Sequence, residues 1–300
     1  MISLKQIRYF IAAAEAGQIT EAASHQNISQ SAITTAIKSL EEMLDARLFE
    51  RHSHGITLTY EGKQFLHRAR NVLTAVEEAI RFPKEAHRNI AGKMRLACTY
   101  TVSGYYIPEY VTRFIRNFPN VELELFEAPR GAIEEGLISG HYDMAVMLTS
   151  NLLNQEDIAY ETLMKSPRKL WVSSDHKLVQ QPTVTLKDIA EEPYVMLTVD
   201  EASNTAQKYW NKTPFRPNTI FRTSSVEAVR GLVANGVGVT ILSDMVYRPW
   251  SLEGHRIEAR EISEKIPTMD IGLAWKQEKE FSSVEMAFRE FMSQMKVEFD

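Results

Sequence analysis

The fold is decided by residues 29–62, which read SQSAITTAIKSLEEMLDARLFERHSHGITLTYEG. Ser29 is a favourable N-cap, and the apolar residues after it recur at the spacing of one helical face. These residues are Ile33, Ile37, Leu40 and Leu44. The opposite face carries hydroxyl, amide and ammonium groups, which suit the base edges and phosphates of a DNA major groove. We therefore predict a DNA-contacting helix whose contact residues are Ser29, Gln30, Ser31, Thr34, Thr35 and Lys38.

Two shorter helices are predicted before this one. The first carries apolar residues at helical spacing and ends at Gly17, where that pattern stops. Thr20 is a candidate N-cap for the second helix. The small residues Ala22 and Ala23 in the second helix allow another helix to cross closely. Together with the helix after Ser29, this pattern predicts a helix-turn-helix.

Residues 48–62 predict a β-hairpin. Basic and histidine residues surround Gly55, and Ile56 and Leu58 then alternate as in a strand. The hairpin is expected to form a wing beside the helices, with DNA-contacting side chains at Arg51, His52 and His54. An alternative interpretation of the same residues is a three-helix packing unit that carries a solvated basic turn.

A long helix is predicted from Glu61 to Phe82, before Pro83, which should kink or end it. Its apolar residues occupy two heptad positions, as in a coiled-coil seam through which two chains dimerise. They are Leu66, Ala69, Leu73, Val76 and Ile80. Only about two and a half heptads are present, so a helix packed on its own domain remains an alternative.

After Gly92 the pattern changes to alternating strands and helices, which is typical of a parallel α/β sheet. A first unit has strands near residues 94–98, 121–125 and 143–148, and a second has strands near residues 170–172, 194–197, 220–223 and 239–242. Ser224 and Glu227 predict a capping box. The strand at residues 271–275 and the helix after it should return to the first unit. Two such lobes leave a cleft in which strand ends and helix N-termini collect donors for a ligand.

Composition is that of an ordinary 300-residue protein with a net charge of -5. The charge is uneven: residues 1–90 hold 11 Lys and Arg against 10 Asp and Glu, and the remainder hold 23 against 29. The apolar run at residues 10–14 is too short for a signal peptide or a membrane span, so a cytosolic location without membrane contact is expected. Cys98 has no partner for an intrachain disulfide and is expected to be a buried, inert thiol.

Catalytic motifs are missing from the sequence. It contains no HExxH, GxSxG or P-loop pattern and no clustered set of Cys and His. The pair Glu134 and Glu135 is better explained as a solvated helix face. We therefore expect neither an enzyme nor a metal site or cofactor.

The chain resembles the LysR-type transcriptional regulators. Residues 7–65 match the signature of that family in order at Phe10, Ala22, Ala23, Ser29, Gln30, Ser31, Ala32, Ile37, Leu40, Glu41, Leu48, Phe49, Arg51, Leu58, Thr59 and Gly62. The chain departs from the family pattern at Asp45, where Gly is usual, and at His54, where Arg is common. Thr35 and Ala36 replace the long donors that are frequent there, which changes how bases would be read.

The resemblance implies a winged helix-turn-helix at residues 1–60, a linker and dimerisation helix at 61–91, and an α/β effector-binding domain at 92–300. That domain resembles a periplasmic binding protein, with lobe I at about 92–162 and 268–300 and lobe II at about 163–267. The implied partners are promoter DNA, further copies of the chain in a dimer and a tetramer, and RNA polymerase. The activity would respond to a small-molecule effector bound between the lobes.

The same analogy places ten residues in the cleft, namely Thr99, Thr101, Ser103, Arg130, Thr149, Ser203, Asn204, Thr205, Ser224 and Ser225. Each is equally well explained as a helix cap or a turn former. Arg130 is the one obvious cation among them, and it suggests an anionic effector. An architectural DNA-binding protein without an effector is the alternative function, although it leaves about two hundred residues of α/β domain unexplained.

Overall fold

A computed structural model of the chain describes residues 2–26, 28–52, 55–81 and 90–294. The chain forms two compact units, Met1–Glu85 and Ala86–Asp300, which we call the head and the body. The predictions for His54, Phe82 and Pro83, and for the side chain of Ile80, lie outside the described residues.

The described part of the head contains four helices and one hairpin. They are α1 (Leu4–Ala16), α2 (Ile19–His25), α3 (Gln30–Leu44), β1 (Phe49–His52), β2 (Gly55–Leu58) and α4 (Tyr60–Arg81). Gly17 ends α1 at a φ of 64°, as predicted, and Ser29 caps α3 by accepting from the backbone N–H of Ala32. The predicted cap at Thr20 is wrong, because α2 starts at Ile19 after Gln18 and Thr20 lies inside the helix.

Phe10 lies at the centre of the head's core. It is fully buried, and its ring centroid lies 5.2 Å from that of Phe49 and 4.9 Å from that of Phe65. The apolar face of α3 completes this core, as its periodicity predicts. Helix α4 also packs on it, with Ala69 only 1% exposed. The predicted seam is therefore wrong at Ala69, because the chain's own core already covers that side chain.

Leu66 and Leu73 also pack against the head's core, but only partly. These contacts fit the alternative prediction, in which α4 packs on its own domain. Val76 is half-buried, and Val72, which the heptad pattern left out, is 41% exposed. The apolar surface that α4 leaves open consequently lies around Val72 and Val76.

Backbone contacts explain several residues of the matched signature. The Glu41 carboxylate accepts from the backbone N–H groups of Leu48 and Phe49, at 2.8 and 3.3 Å. A Cβ at Gly62 would lie 2.0 Å from the carbonyl oxygen of Leu48, so only glycine fits there. Asp45 ends α3 in the left-handed region at a φ of 49°, a conformation that glycine adopts without strain. Helix α3 therefore ends in the turn that the family's glycine would favour, although aspartate adopts this conformation less readily.

The first lobe of the body is built on a five-stranded sheet in the order β4-β3-β5-β12-β6. Its elements are β3 (Gly92–Cys98), α5 (Tyr100–Tyr105), α6 (Ile107–Asn117), β4 (Val121–Glu127), α7 (Arg130–Ser139), β5 (Met144–Leu148), β6 (Ile158–Ser166), β12 (Met269–Lys276) and α11 (Ser283–Gln294). Strands β4, β3 and β5 are parallel, whereas β12 runs antiparallel to β5 and β6. The predicted parallel sheet is confirmed for β3, β4 and β5, and the return of the last strand and helix to this lobe is confirmed, although the returning strand β12 runs antiparallel.

The second lobe contains an antiparallel sheet in the order β10-β7-β11 and a parallel pair, β8-β9. Its elements are β7 (Arg168–Ser173), α8 (Leu186–Ala190), β8 (Pro193–Leu197), α9 (Ala202–Trp210), β9 (Asn218–Thr223), α10 (Val226–Ala234), β10 (Thr240–Ser243) and β11 (Ile257–Arg260). Strands β6 and β11 were not predicted from the sequence. Strand β6 continues to Ser166, so the chain passes from the sheet of the first lobe to that of the second after this residue.

The predicted capping box before α10 is wrong. The N-cap is Ser225, whose hydroxyl accepts from the backbone N–H of Ala228 at 3.1 Å. Helix α10 therefore begins one residue later than predicted, and Glu227 is one position too early to reach back to the cap. Its carboxylate accepts instead from the Tyr105 hydroxyl and from Arg230, both at 3.0 Å.

None of the helices within the described ranges combines the length and the apolar character that crossing a membrane requires.

Candidate DNA-contact surface and effector cavity

Helix α3 presents the predicted contact residues to solvent. Ser29, Gln30, Ser31, Thr35 and Lys38 are exposed and Thr34 is half-buried, and these six residues form what we call the α3 polar face. The Lys38 ammonium lies 3.8 Å from the Glu42 carboxylate, and both side chains are at least 66% exposed. An ion pair this exposed contributes little, so Lys38 is available to a phosphate.

The wing is fixed against the turn after α1. The backbone N–H of Ile56 donates to the carbonyl oxygen of Gly17 at 2.8 Å, and a Cβ at Gly55 would lie 2.5 Å from the same oxygen. Arg51 and His52 lie on β1 with exposed side chains. The His52 ring lies 2.9 Å from the Thr57 hydroxyl, whereas Arg51 has no ion pair with any described residue. The wing therefore offers an unpaired guanidinium to solvent.

The body contains a cavity of about 40 Å³ between its two lobes. One water molecule needs about 10 to 15 Å³ on this measure, so the cavity admits only a few waters in this conformation. The residues that line it come from both lobes. They are Thr101, Leu148, Arg168, Tyr194, Met196, Leu197, Val199, Asp200, Ala202, Ala206, Tyr209, Thr240, Ile241, Leu242, Ser243, Val246 and Met269.

Thr101 binds a carboxylate of the chain itself. Its backbone N–H donates to Asp200 Oδ2 at 2.7 Å, and its hydroxyl donates to the same oxygen at 2.5 Å. Asp200 and Glu201 follow one another in the left-handed region, at φ angles of 50° and 57°. Such backbone is strained in residues other than glycine and persists only where contacts hold it. Thr101 lines the cavity, but its donors are already engaged by the second lobe.

Arg130 is not the exposed turn residue of the sequence analysis. It opens α7, and its guanidinium pairs with Glu134 at 2.9 Å and with Glu201 at 3.3 Å. Burial lowers the pKa of Arg130, but the hydrogen bonds and charges of these two carboxylates outweigh burial and leave the pKa raised. Arg130 does not line the cavity, and its guanidinium is already paired within the chain, so the structure does not favour it as an anion-binding group.

The other predicted cleft residues also lie outside the cavity lining, because most of their side chains serve the chain's own backbone or side chains. Ser103 donates to Glu127, Thr149 to the carbonyl oxygen of Asp270, Thr205 to Asn151, and Ser225 caps α10. Thr99 is buried without a hydrogen-bond partner for its hydroxyl among the described residues. Ser203, Asn204 and Ser224 are partly or fully exposed away from the cavity.

Polar residues of the cavity that were not predicted from the sequence include Arg168, Asp200 and Thr240, together with Ser243, Tyr194 and Tyr209. Arg168 donates to the carbonyl oxygen of Pro267, and no carboxylate of the described residues lies within 4 Å of it. Burial lowers the pKa of Arg168, as expected for a cation removed from water. The hydroxyl of Thr240 is fully buried and has no hydrogen bond of acceptable geometry to any described group. The one signal for Arg168 was a pair of cations, Arg168 and Lys169, at the start of a strand that continues with three apolar residues.

Cys98 is buried, as expected, and lies at the end of β3. Burial, helped by the charges of Glu127 and Asp200, raises the pKa of its thiol to about 11. The thiolate is the reactive form of cysteine, so this environment makes Cys98 inert.

Two family models match this chain, one over the head and one over the body. Residues 4–63 match the model of the bacterial regulatory helix-turn-helix protein of the lysR family, and residues 87–296 match that of the LysR substrate binding domain. The chain is 28% identical over 298 residues to the HTH-type transcriptional regulator YnfL of Escherichia coli, covering 96% of this chain and 97% of YnfL.

Solved structures show the same arrangement. HinK, a LysR family transcriptional regulator from Pseudomonas aeruginosa, has a TM-score of 0.64 at 26% identity, covering 98% of this chain and 99% of HinK. Full-length CbnR, solved with its target DNA, has a TM-score of 0.57 at 21% identity over 98% of this chain and 100% of CbnR, and it shares the fold. These relatives are regulators and not enzymes, and the chain belongs to the LysR family of DNA-binding transcriptional regulators.

Proposed function

We propose that this regulator binds promoter DNA through the α3 polar face together with Arg51 and His52 of the wing, under the control of a small effector in the cavity of the body. The observation that carries the first part is the exposure of the α3 polar face on a helix whose other face is buried. Its short hydroxyl and amide groups suit direct contact with base edges. Lys38 and Arg51 add cations that suit phosphates.

The cavity supports the second part of the proposal. It lies between two lobes that touch through Thr101 and Asp200 and through Tyr105 and Glu227. A ligand shifts an equilibrium only if it binds one conformation more tightly than another. A ligand that contacts both lobes meets this condition, since its contacts change when the lobes move. An architectural protein without an effector would have no use for such a cavity.

The oligomer is a further part of the proposal. We infer a dimer through α4, assembled into a tetramer through the bodies. The apolar surface around Val72 and Val76 supports the dimer, whereas Leu73 is needed by the head's own core. Val72→Glu should therefore abolish the dimer in sedimentation without unfolding the head. A fully assembled Val72→Glu variant would contradict the proposal.

The experiment that tests DNA recognition compares Thr35→Ala with Met43→Ala. Both residues are exposed on α3, but Met43 lies eight residues further along, about 12 Å along the helix axis. Thr35→Ala should cost about 1 kcal/mol or more on the cognate duplex and much less on scrambled DNA, as expected for a base contact. Met43→Ala should change neither. Equal losses on both duplexes would remove Thr35 from base recognition.

Effector control is tested by footprinting of the full chain with and without compounds that raise its melting temperature. An effector should alter the protected region as well as the melting temperature. A compound that binds in the cavity but leaves the footprint unchanged would support the architectural alternative.

A further inference from the structure

Two opposite charges line the cavity without pairing with each other. Arg168 stands at the start of β7, and Asp200 lies in the strained turn before α9. Each is held by its own wall, Arg168 by the carbonyl oxygen of Pro267 and Asp200 by the N–H and hydroxyl of Thr101. No ion pair within 4 Å joins the two described residues. Both side chains are only partly exposed, and Arg168 also lies near the charge of Asp270, so each keeps hydrogen-bonding capacity for a further partner.

The unused hydrogen-bonding groups are of both kinds. A guanidinium has five N–H donors, and Arg168 uses one of its nitrogen atoms on a described residue. Asp200 Oδ2 takes both bonds from Thr101, which leaves Oδ1 without a described partner. The buried hydroxyl of Thr240 also lines the cavity beside the Tyr194 hydroxyl, and it adds a group that can donate or accept. The cavity thus offers donors on one side and an acceptor on the other.

The sign of these charges restricts the ligand. A purely anionic ligand bound to Arg168 would lie in the same small cavity as the Asp200 carboxylate, and a purely cationic one would lie beside Arg168. Both arrangements place like charges close together in a poorly solvated space, which is unfavourable. A ligand that carries both charges satisfies both residues. The remaining lining is largely apolar, with Leu148, Met196 and Leu242 among its side chains.

Resting on the proposed function, we propose that the effector is a small zwitterion, an α-amino acid with a compact apolar side chain, whose carboxylate binds Arg168 and whose ammonium group binds Asp200. This replaces the anionic effector expected from Arg130. Thr240 donates to the ligand carboxylate or accepts from the ammonium group. The strained turn that carries Asp200 forms one wall of the cavity. This wall adjusts to the size of the ligand's side chain.

The test measures melting and calorimetric binding of the full chain with the twenty protein L-amino acids. The matched probes are their N-acetyl derivatives, which lack the ammonium group, and their amides, which lack the carboxylate. At least one amino acid should raise the melting temperature, and its N-acetyl and amide forms should bind at least tenfold more weakly. A panel without any shift, or an N-acetyl form that binds as tightly as its parent, would overturn the inference.

Two variants test which residue binds each charged group of the ligand. Arg168→Gln and Asp200→Asn should each weaken binding of the amino acid at least tenfold, and the amide oxygen introduced by Asp200→Asn can still accept from Thr101. Arg256→Gln and Asp175→Asn, which change residues outside the cavity lining, are the matched controls and should bind as the wild type does. Binding of an N-acetyl form that survives in Asp200→Asn and disappears in Arg168→Gln would overturn the zwitterion but leave the effector site in place. A bound amino acid that leaves the DNA footprint unchanged would instead contradict the proposed function.

Discussion

The α3 polar face and the cavity differ in how the chain uses its own polar side chains. On the α3 polar face, the side chains of Thr35 and Lys38 project into solvent with few partners in the chain. In the body, Thr101 and Arg130 are paired with carboxylates of the chain itself. One surface is open to a large polyanion, whereas the other is closed by internal pairs.

On the proposed function, this difference follows from the sizes of the two ligands. DNA is larger than the head, so a rigid helix with exposed groups suffices to meet it. A small effector must be enclosed, and the enclosing walls come from segments far apart in the sequence, such as Thr101 and Asp200. The walls therefore pair with one another when no ligand stands between them.

The largest expected effects are losses of stability that are confined to the head in one variant and to the body in another. Phe10→Ala and Phe288→Ala each remove a fully buried ring that contacts other rings, Phe10 in the head and Phe288 in the body. Each should cost about 3 to 5 kcal/mol of stability, but in different units. Phe10→Ala should abolish DNA binding while the cavity still binds its ligand. Thermal unfolding with DNA and ligand titrations checks this. Loss of both activities in Phe10→Ala would show that the two units do not fold independently.

A smaller effect should appear at the contact between the lobes. Thr101→Val removes the hydroxyl that donates to Asp200 but keeps the backbone N–H, and both residues are largely shielded from water. Hydrogen bonds to charged groups contribute about 1.5 to 3 kcal/mol, so the body should lose stability in that range.

The matched control is Thr112→Val, since the exposed Thr112 hydroxyl donates to its own helix at Pro108. It should cost less than about 0.5 kcal/mol, as most surface changes do. Denaturant unfolding measures both variants. Equal losses would mean that the bond between Thr101 and Asp200 does not stabilise the contact between the lobes.

The sequence predicted the head better than the cavity because the head's signals are local. The face of α3, the hairpin around Gly55 and the turn at Gly17 are each determined by residues less than about fifteen positions apart. The cavity depends on pairs such as Thr101 and Asp200, which lie 99 positions apart. No periodicity encodes such a pair, and the left-handed φ of Asp200 is not visible in the residue type.

The same reasoning explains the error at the first lobe. Alternating strands and helices predicted a parallel sheet, and that pattern holds for β3, β4 and β5. Strands β6 and β12 join the sheet where the chain crosses between the lobes, so no helix alternates with them. The sequence pattern therefore did not indicate in which direction they run. Strand β12 is also buried on both faces, so apolar and polar residues do not alternate along it. The full length of the strand was therefore not visible in the sequence.

Acid should weaken the body through Asp143. Burial raises the pKa of this carboxyl, but hydrogen bonds from the Arg95 side chain and backbone, helped by the charges of Arg95 and Lys279, outweigh burial and lower the pKa below its ordinary value of 3.8. The stabilisation is therefore complete above about pH 4 and is lost as pH falls through the lowered pKa.

Asp143→Asn should cost about 1 to 2 kcal/mol at pH 7, because the partly exposed Arg95 is screened by solvent. The difference in stability between wild type and variant should shrink as the pH falls below about 4. Unfolding measured from about pH 7 down to about pH 3 checks this. A difference that stays constant would show that the charge of Asp143 contributes nothing.

The smallest effect concerns the wing. Arg51→Ala should weaken binding almost equally on cognate and scrambled duplexes, because a phosphate contact carries no sequence information. The slope of log affinity against log salt should fall by about one counterion. Arg116→Ala, an exposed arginine of the body, is the control and should leave the slope unchanged. An unchanged slope in Arg51→Ala would remove Arg51 from the interface with DNA.

The place of β12 in its sheet has a consequence for how the chain is made on the ribosome. Strand β12 lies between β5 and β6, although Met269–Lys276 is synthesised long after both of its neighbours. At about 5 to 20 residues per second, β6 is complete roughly five to twenty seconds before β12. During this interval β5 and β6 each present an unpaired edge, whereas the head is already finished. The nascent body is therefore the part of the chain that most needs protection by chaperones.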